Sequence, residues 1–108
     1  MTSVSMVFVT APDQETATRL TTSVVKEELA ACGNILPSVR SIYRWQGKVH
    51  DEAESMVIFK TTRTGSDRLR ERLVELHPYE CPEVLVVHTD AGHADYLSWV
   101  EQSVRKMP

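Results

Sequence analysis

Ser41-Ile42-Tyr43-Arg44-Trp45-Gln46-Gly47-Lys48 reads as the turn of a long central hairpin. Before it stand Asn34-Ile35-Leu36-Pro37-Ser38-Val39-Arg40; after it Val49 to Glu54 is mostly polar and Met56-Val57-Ile58-Phe59 is continuously apolar. Fully extended, each arm holds about a dozen residues and reaches roughly 40 Å, against about 5–6 residues in an ordinary strand. A chain of 108 residues does not need arms of that length for its own core. The excess is read as reach toward another subunit. Pro37 cannot donate to a sheet ladder, so the first arm bends or lies at an edge there. Gln46-Gly47 is the turn, and because Gln is a weaker turn residue than Asn or Asp, a loop of about four residues competes with a tight one.

Outward from the hairpin, Met6-Val7-Phe8-Val9-Thr10 is a short apolar run ended by Ala11-Pro12, the pattern of a buried strand. Asp13 is placed to cap a helix on which Ala17, Leu20, Val24, Val25, Leu29, Ala31 and Cys32 recur at helical spacing. Gly33 fits the left-handed position that ends it. Beyond the second arm, Thr64-Gly65-Ser66 breaks the pattern, with Ser66 as N-cap of a helix carrying Leu69, Leu73 and Leu76. Pro78 stops that helix near His77. Val84-Leu85-Val86-Val87 within Glu83 to His88 is a fourth strand, and Asp95 is placed to cap a last helix with Tyr96, Leu97, Trp99, Val100 and Val104.

The order β-α-β-β-α-β plus a helix predicts one α+β domain over 1–108, the ferredoxin-like sandwich of an antiparallel sheet with two helices on one face. One-sided antiparallel strands should alternate apolar and polar residues. Met6–Val9, Met56–Phe59 and Val84–Val87 are apolar on both faces instead. One short C-terminal helix cannot cover the second face, and a bare one would be an unusually large exposed patch. The second face is therefore expected to be buried between subunits of a closed ring, since an open series would make fibres.

Composition narrows the function classes. With 42% hydrophobic and 25% charged residues and a formal charge of −3, the chain is an ordinary soluble domain with no general attraction to nucleic acid or an acidic membrane. Cys32 and Cys81 are too few for a disulfide framework, which points to a reducing interior. The start of the chain has no basic region with a long apolar run, and the expected localisation is cytoplasmic. The four glycines are isolated, so no phosphate-binding loop is present. The third strand has one aromatic residue and no glycine, unlike an RNA-recognition module. A soft-metal chaperone of this fold would carry a Cys-x-x-Cys pair after strand one, where Val9-Thr10-Ala11-Pro12-Asp13 has none.

The chain resembles the CutA family, the divalent-cation tolerance proteins. The matching segments are Thr10-Ala11-Pro12-Asp13, Leu29-Ala30-Ala31-Cys32, Asn34-Ile35-Leu36-Pro37, Ser41 to Lys48, Lys60-Thr61, His77-Pro78-Tyr79-Glu80-Cys81-Pro82-Glu83 and Tyr96-Leu97-Ser98-Trp99, in family order. The resemblance implies a tight homotrimer similar in shape to the PII signalling proteins, a role in tolerance of copper and other divalent metals, and no assigned catalytic reaction. Copper ligands proposed in some members are a first-strand cysteine and two adjacent histidines before the Pro-Tyr. Here those positions hold Val9 and Leu76-His77, so only His77 is retained.

Two candidate sites follow. Copper favours thiolate and imidazole, and His77 and Cys81 lie within five residues. They are the candidate metal ligands for a copper or other divalent ion held weakly; the competing reading has His77 ending the helix and Cys81 packing as a small apolar group. His88 and His93, flanking a turn near Asp90 and Asp95, and the acidic run His50-Asp51-Glu52-Ala53-Glu54 are lesser metal candidates, read equally as surface and as a charged edge. The second candidate, whose place at the trimer interface the resemblance implies, is an inter-subunit cleft lined by Trp45, Lys60, Tyr79 and Glu83, with the rings as walls and the lysine as a point charge for a small anionic or an aromatic ligand. Interface packing alone explains the same residues. The expected function is thus a non-enzymatic metal-tolerance trimer. The alternatives are a PII-like small-ligand module or a structural scaffold.

Overall fold

The computed structural model describes residues 1–106. The elements run β1 Val4–Ala11, α1 Gln14–Lys26, β2 Cys32–Trp45, β3 Lys48–Thr62, α2 Ser66–Leu76, β4 Val84–His88 and α3 Ala94–Ser103. The four strands form one open sheet in the order β2-β3-β1-β4, every neighbouring pair antiparallel. The α+β order and the interleaved strand pairing are those expected of the split β-α-β arrangement.

The hairpin decides the shape. β3 pairs with β1 only from Ser55 to Thr62, while Lys48 to Glu54 pairs with β2 alone. The distal part is a two-stranded ribbon projecting from the sheet, and the molecule measures 43 × 25 × 23 Å. The radius of gyration is 14.3 Å, above the roughly 13 Å of a compact domain of this length. The turn is the tight one: Trp45 pairs with Lys48, and Gln46 (φ 51°) and Gly47 (φ 79°) both take left-handed backbone. Two positive φ values match the twist of the flanking strands. β2 gains one residue against β3 between Leu36 and Val39, a bulge at Pro37-Ser38 where Ser55 Oγ donates to the Pro37 carbonyl at 2.8 Å. That is the bend Pro37 requires.

Alternation along the strands sorts the two faces. Val7, Val9, Ala11, Val57 and Phe59 turn toward the helices and pack against Ala17, Leu20 and Val24 of α1 and Leu69 and Leu73 of α2. Phe59 is fully buried, a contribution of about 1.5–3 kcal/mol. The alternate residues Met6, Phe8 and Ile58 occupy the opposite face half-buried, with Leu85 58% and Val87 39% exposed beside them. α3 covers only one end of that face, through a separate small cluster of Val4, Val100 and Val104 with Ala31 and Leu97 against it.

Three local expectations are corrected. α1 ends at Lys26, and the chain turns through Glu28 at φ 59° rather than at Gly33. Gly33 lies inside β2, where a Cβ would meet Thr21 Cγ2 at 2.7 Å and the Phe59 ring at 3.1 Å. The apolar residues at 29–32 kept the helical spacing because Leu29 and Ala30 are buried as a connection. The N-cap of α2 is Gly65; Ser66 is the first helical residue and donates to the Arg63 carbonyl at 2.9 Å. α3 is preceded by His93, and Asp95 sits in its first turn. Asp13 does cap α1, accepting from Thr16 N at 2.7 Å.

Candidate functional site

Where β1 stops at Ala11, the ribbon runs on and the segment from His77 to Glu83 crosses beneath it. His77 is the hinge of that crossing. Pro78 ends α2, and His77 leaves the helix in extended backbone. Its ring is buried, with Nε2–H donating to the Thr10 carbonyl at 2.7 Å and Nδ1 accepting from Tyr79 N at 3.1 Å. The pair of bonds fixes the neutral Nε2–H tautomer. The Tyr79 ring lies 4.8 Å from the imidazole, and its hydroxyl donates to Glu54 Oε2 at 2.8 Å at the root of the ribbon. Burial first, and then the Glu54 carboxylate, push the Tyr79 phenol well above its ordinary 10.0.

Between ribbon and loop lies a groove of about 740 Å³, lined by Thr10, Arg40 to Tyr43, Trp45, Glu54 and Tyr79 to Glu83. Its aromatic walls are Tyr43, Trp45 and Tyr79, each 36–41% exposed. Tyr43 stacks on His50 with centroids 5.2 Å apart and donates to Glu52, a bond that pushes its phenol up to about 12. Arg40 holds Asp51 in a two-pronged pair at 2.9 and 2.6 Å, which lowers the aspartate and raises the guanidinium.

Trp45, Tyr79 and Glu83 thus share one groove; Lys60 does not. Lys60 pairs with Cys32 across β2 and β3, several residues up the sheet, and its ammonium donates to Asn34 Oδ1. Cys32 Sγ there stands 3.7 Å from the Tyr96 hydroxyl. Cys81 lies exposed along the groove.

The donor set does not fit a resident metal ion. Both His77 nitrogens are engaged, so coordination would require breaking the bond from Tyr79 N. Among the described residues no three His, Cys, Asp or Glu side chains are grouped as a metal site. His88 Nδ1 is tied to Ser5 Oγ at 2.6 Å, away from His93, whose Nε2 stands 3.9 Å from Asp95. Sequence reading missed Glu54 as the partner of Tyr79, Arg40 as a groove residue, and the capture of both imidazole nitrogens of His77. The Tyr79–Glu54 and His77–Thr10 contacts span 25 and 67 positions, and no local pattern marks them.

Fold and groove define a small α+β domain with an apolar sheet face that its own helices leave largely uncovered and a side groove under a projecting ribbon. Comparison with known proteins gives the family. Residues 5–103 match the family described as "CutA1 divalent ion tolerance protein", and the chain belongs to it. A "Divalent-cation tolerance protein CutA" of Citrobacter koseri is 45% identical over 100 residues, covering 93% of this chain and 87% of the relative. "Protein CutA 1, chloroplastic" of rice is 41% identical over 101 residues, and the chain spans 57% of that relative's length. The crystal structure of CutA from Xylella fastidiosa superposes with a TM-score of 0.93 at 36% identity, covering 96% of this chain and all of the other (100%). That of CutA1 from rice superposes at 0.93 and 39% identity, covering 98% and 97%. No helix among the described residues is long and apolar enough to cross a membrane.

Proposed function

We propose that this chain is a non-enzymatic, cytoplasmic divalent-cation tolerance protein acting as a homotrimer. The observation that carries the tolerance role is membership of a family named for it, over nearly the whole chain. Deleting the gene in its host should sensitise cells to copper or another divalent cation, and restoring it should rescue them. Unchanged tolerance across a panel of divalent salts would overturn the reading.

The trimer is supported by the uncovered face carrying Met6, Phe8, Ile58, Leu85 and Val87 and by a ribbon longer than one sheet can pair. A second copy is the occupant that suits both: the face is apolar, and the outer edges of β2 and β4 are free to add strands.

Metal contact in this reading is weak. His77 and Cys81 are its candidate ligands, and His77 coordinates only by giving up Tyr79 N. A calorimetric copper titration should show low affinity, reduced further in His77→Ala; an unchanged titration removes His77 from the ligand set.

A second reading is favoured by the groove itself. Its size falls in the range of about 300–1,000 Å³ usual for small-ligand clefts, and its aromatic walls stay part-exposed. In that reading the protein is a PII-like sensor holding a small molecule beside the ribbon.

A further inference from the structure

The charge of the groove carries the next step. Three carboxylates, Glu54, Glu80 and Glu83, line it, against the single guanidinium of Arg40. Arg40 is already neutralised by Asp51 through two hydrogen bonds of 2.9 and 2.6 Å. Within the same chain Lys60 lies elsewhere on the sheet, where its ammonium donates to Asn34. Within one chain the groove thus presents net negative charge between the faces of Tyr43, Trp45 and Tyr79.

We propose that this groove binds an organic cation, an alkylammonium or guanidinium group, held between aromatic faces and carboxylates. Indole and phenol rings attract a cation through their electron-rich faces, by about 0.5–2 kcal/mol each as desolvation increases. Glu54 adds a charge-assisted acceptor. The Tyr79 hydroxyl occupies only one of its lone-pair positions, leaving the carboxylate capacity to accept from a ligand. A bare transition-metal ion suits these walls poorly, because aromatic carbon offers it no donor and, of its preferred thiolate and imidazole ligands, the lining holds only Cys81. An anion meets three like charges.

The proposal rests on the second reading above and leaves the tolerance role untouched. The test uses the full-length protein with Trp99→Phe, so that Trp45, one of two tryptophans, is the only indole reporter. Pentane-1,5-diamine, pentane-1,5-diol and glutarate form a length-matched dication, neutral molecule and dianion. The diamine should shift Trp45 emission at concentrations about tenfold below the diol, a difference of about 1.4 kcal/mol. Added salt should weaken the response. Glu80→Gln with Glu83→Gln should reduce diamine affinity several-fold while leaving the melting temperature unchanged, and separately Glu54→Gln, which keeps an acceptor for the Tyr79 hydroxyl, should reduce it several-fold as well.

Tighter binding of glutarate would overturn the cationic class while retaining the groove as a ligand site. A flat response to all three would overturn the ligand-site reading with it, as would a diamine response that persists unreduced in both glutamine variants.

Discussion

Two residues concentrate the local physics of the chain. His77 bonds the end of β1 through one nitrogen and the start of the groove loop through the other. Truncation removes the imidazole partner of the buried Thr10 carbonyl and of the part-buried Tyr79 amide, and an unmet buried group costs about 1–3 kcal/mol. His77→Ala should therefore lower stability by about 2–4 kcal/mol in chemical denaturation; a change below about 0.5 kcal/mol would mean the bonds are not maintained. Gly33 is the other. Its missing side chain is filled by Thr21 and the Phe59 ring, so Gly33→Ala should destabilise by overpacking, about 1–3 kcal/mol. An unchanged denaturation midpoint would show that Thr21 rotates away freely. Neither role was legible in the sequence. Gly33 after an apolar helical run has the pattern of a helix stop, and only the position of Phe59 across the pair reveals why a side chain is excluded. His77 after a leucine-rich helix and before Pro78 announces a terminus, but nothing nearby announces Thr10.

Elements were far more legible than contacts. The strands and helices follow from apolar runs and 3.6-residue spacing, which are local properties, and Pro37 announced its bulge because a missing N–H is local too. The errors fell at element ends, where Glu28 rather than glycine took the left-handed turn. Among the elements, α1 and α2 are joined by Glu27 and Arg72 through paired bonds of 2.9 Å. That contact, chiefly the hydrogen bond, holds the Glu27 carboxyl below its ordinary 4.5. A depressed carboxylate contributes stability above its unfolded pKa and loses it as pH falls through its folded pKa. Glu27→Gln should thus cost under about 1 kcal/mol at neutral pH, since the pair is partly solvated. The deficit should shrink in melts as the pH falls below the ordinary carboxylate value of 4.5, and a deficit that persists undiminished in acid would rule out the ion pair as its cause. The tight turn gives a second expectation. Gln46 holds φ 51°, which Asn tolerates better, so Gln46→Asn should raise the stability by up to about 1 kcal/mol and the midpoint with it. A lowered midpoint would contradict the turn geometry.

At the scale of the whole molecule, the uncovered sheet face is the feature on which the proposed assembly rests. Leu85 and Val87 alternate with the half-buried Val84 and Val86, so the sequence already carried the contradiction of a strand apolar on both sides. Within the chain, α3 covers only one end of the second face. Light scattering should give a trimer at micromolar concentration, and Leu85→Glu should shift it toward monomer, because an unpaired charge in an apolar interface carries a large desolvation cost. A wild-type monomer, or a variant that assembles undisturbed, would remove this face from the interface.

The strand order also dictates the sequence of events in folding. β2 and β3 are consecutive and joined by two residues, so their ribbon closes with little loss of chain entropy. β1 lies between β3 and β4, strands that are remote from it in the chain: Ser5 faces Thr61 on one side and His88 on the other. Those pairings require long loops to close before any contact rewards them. We therefore expect the ribbon to nucleate early and the insertion of β1 to be the slow step. Substitutions at the turn should alter the folding rate, whereas those in β4, formed last, should show mainly in the rate of unfolding.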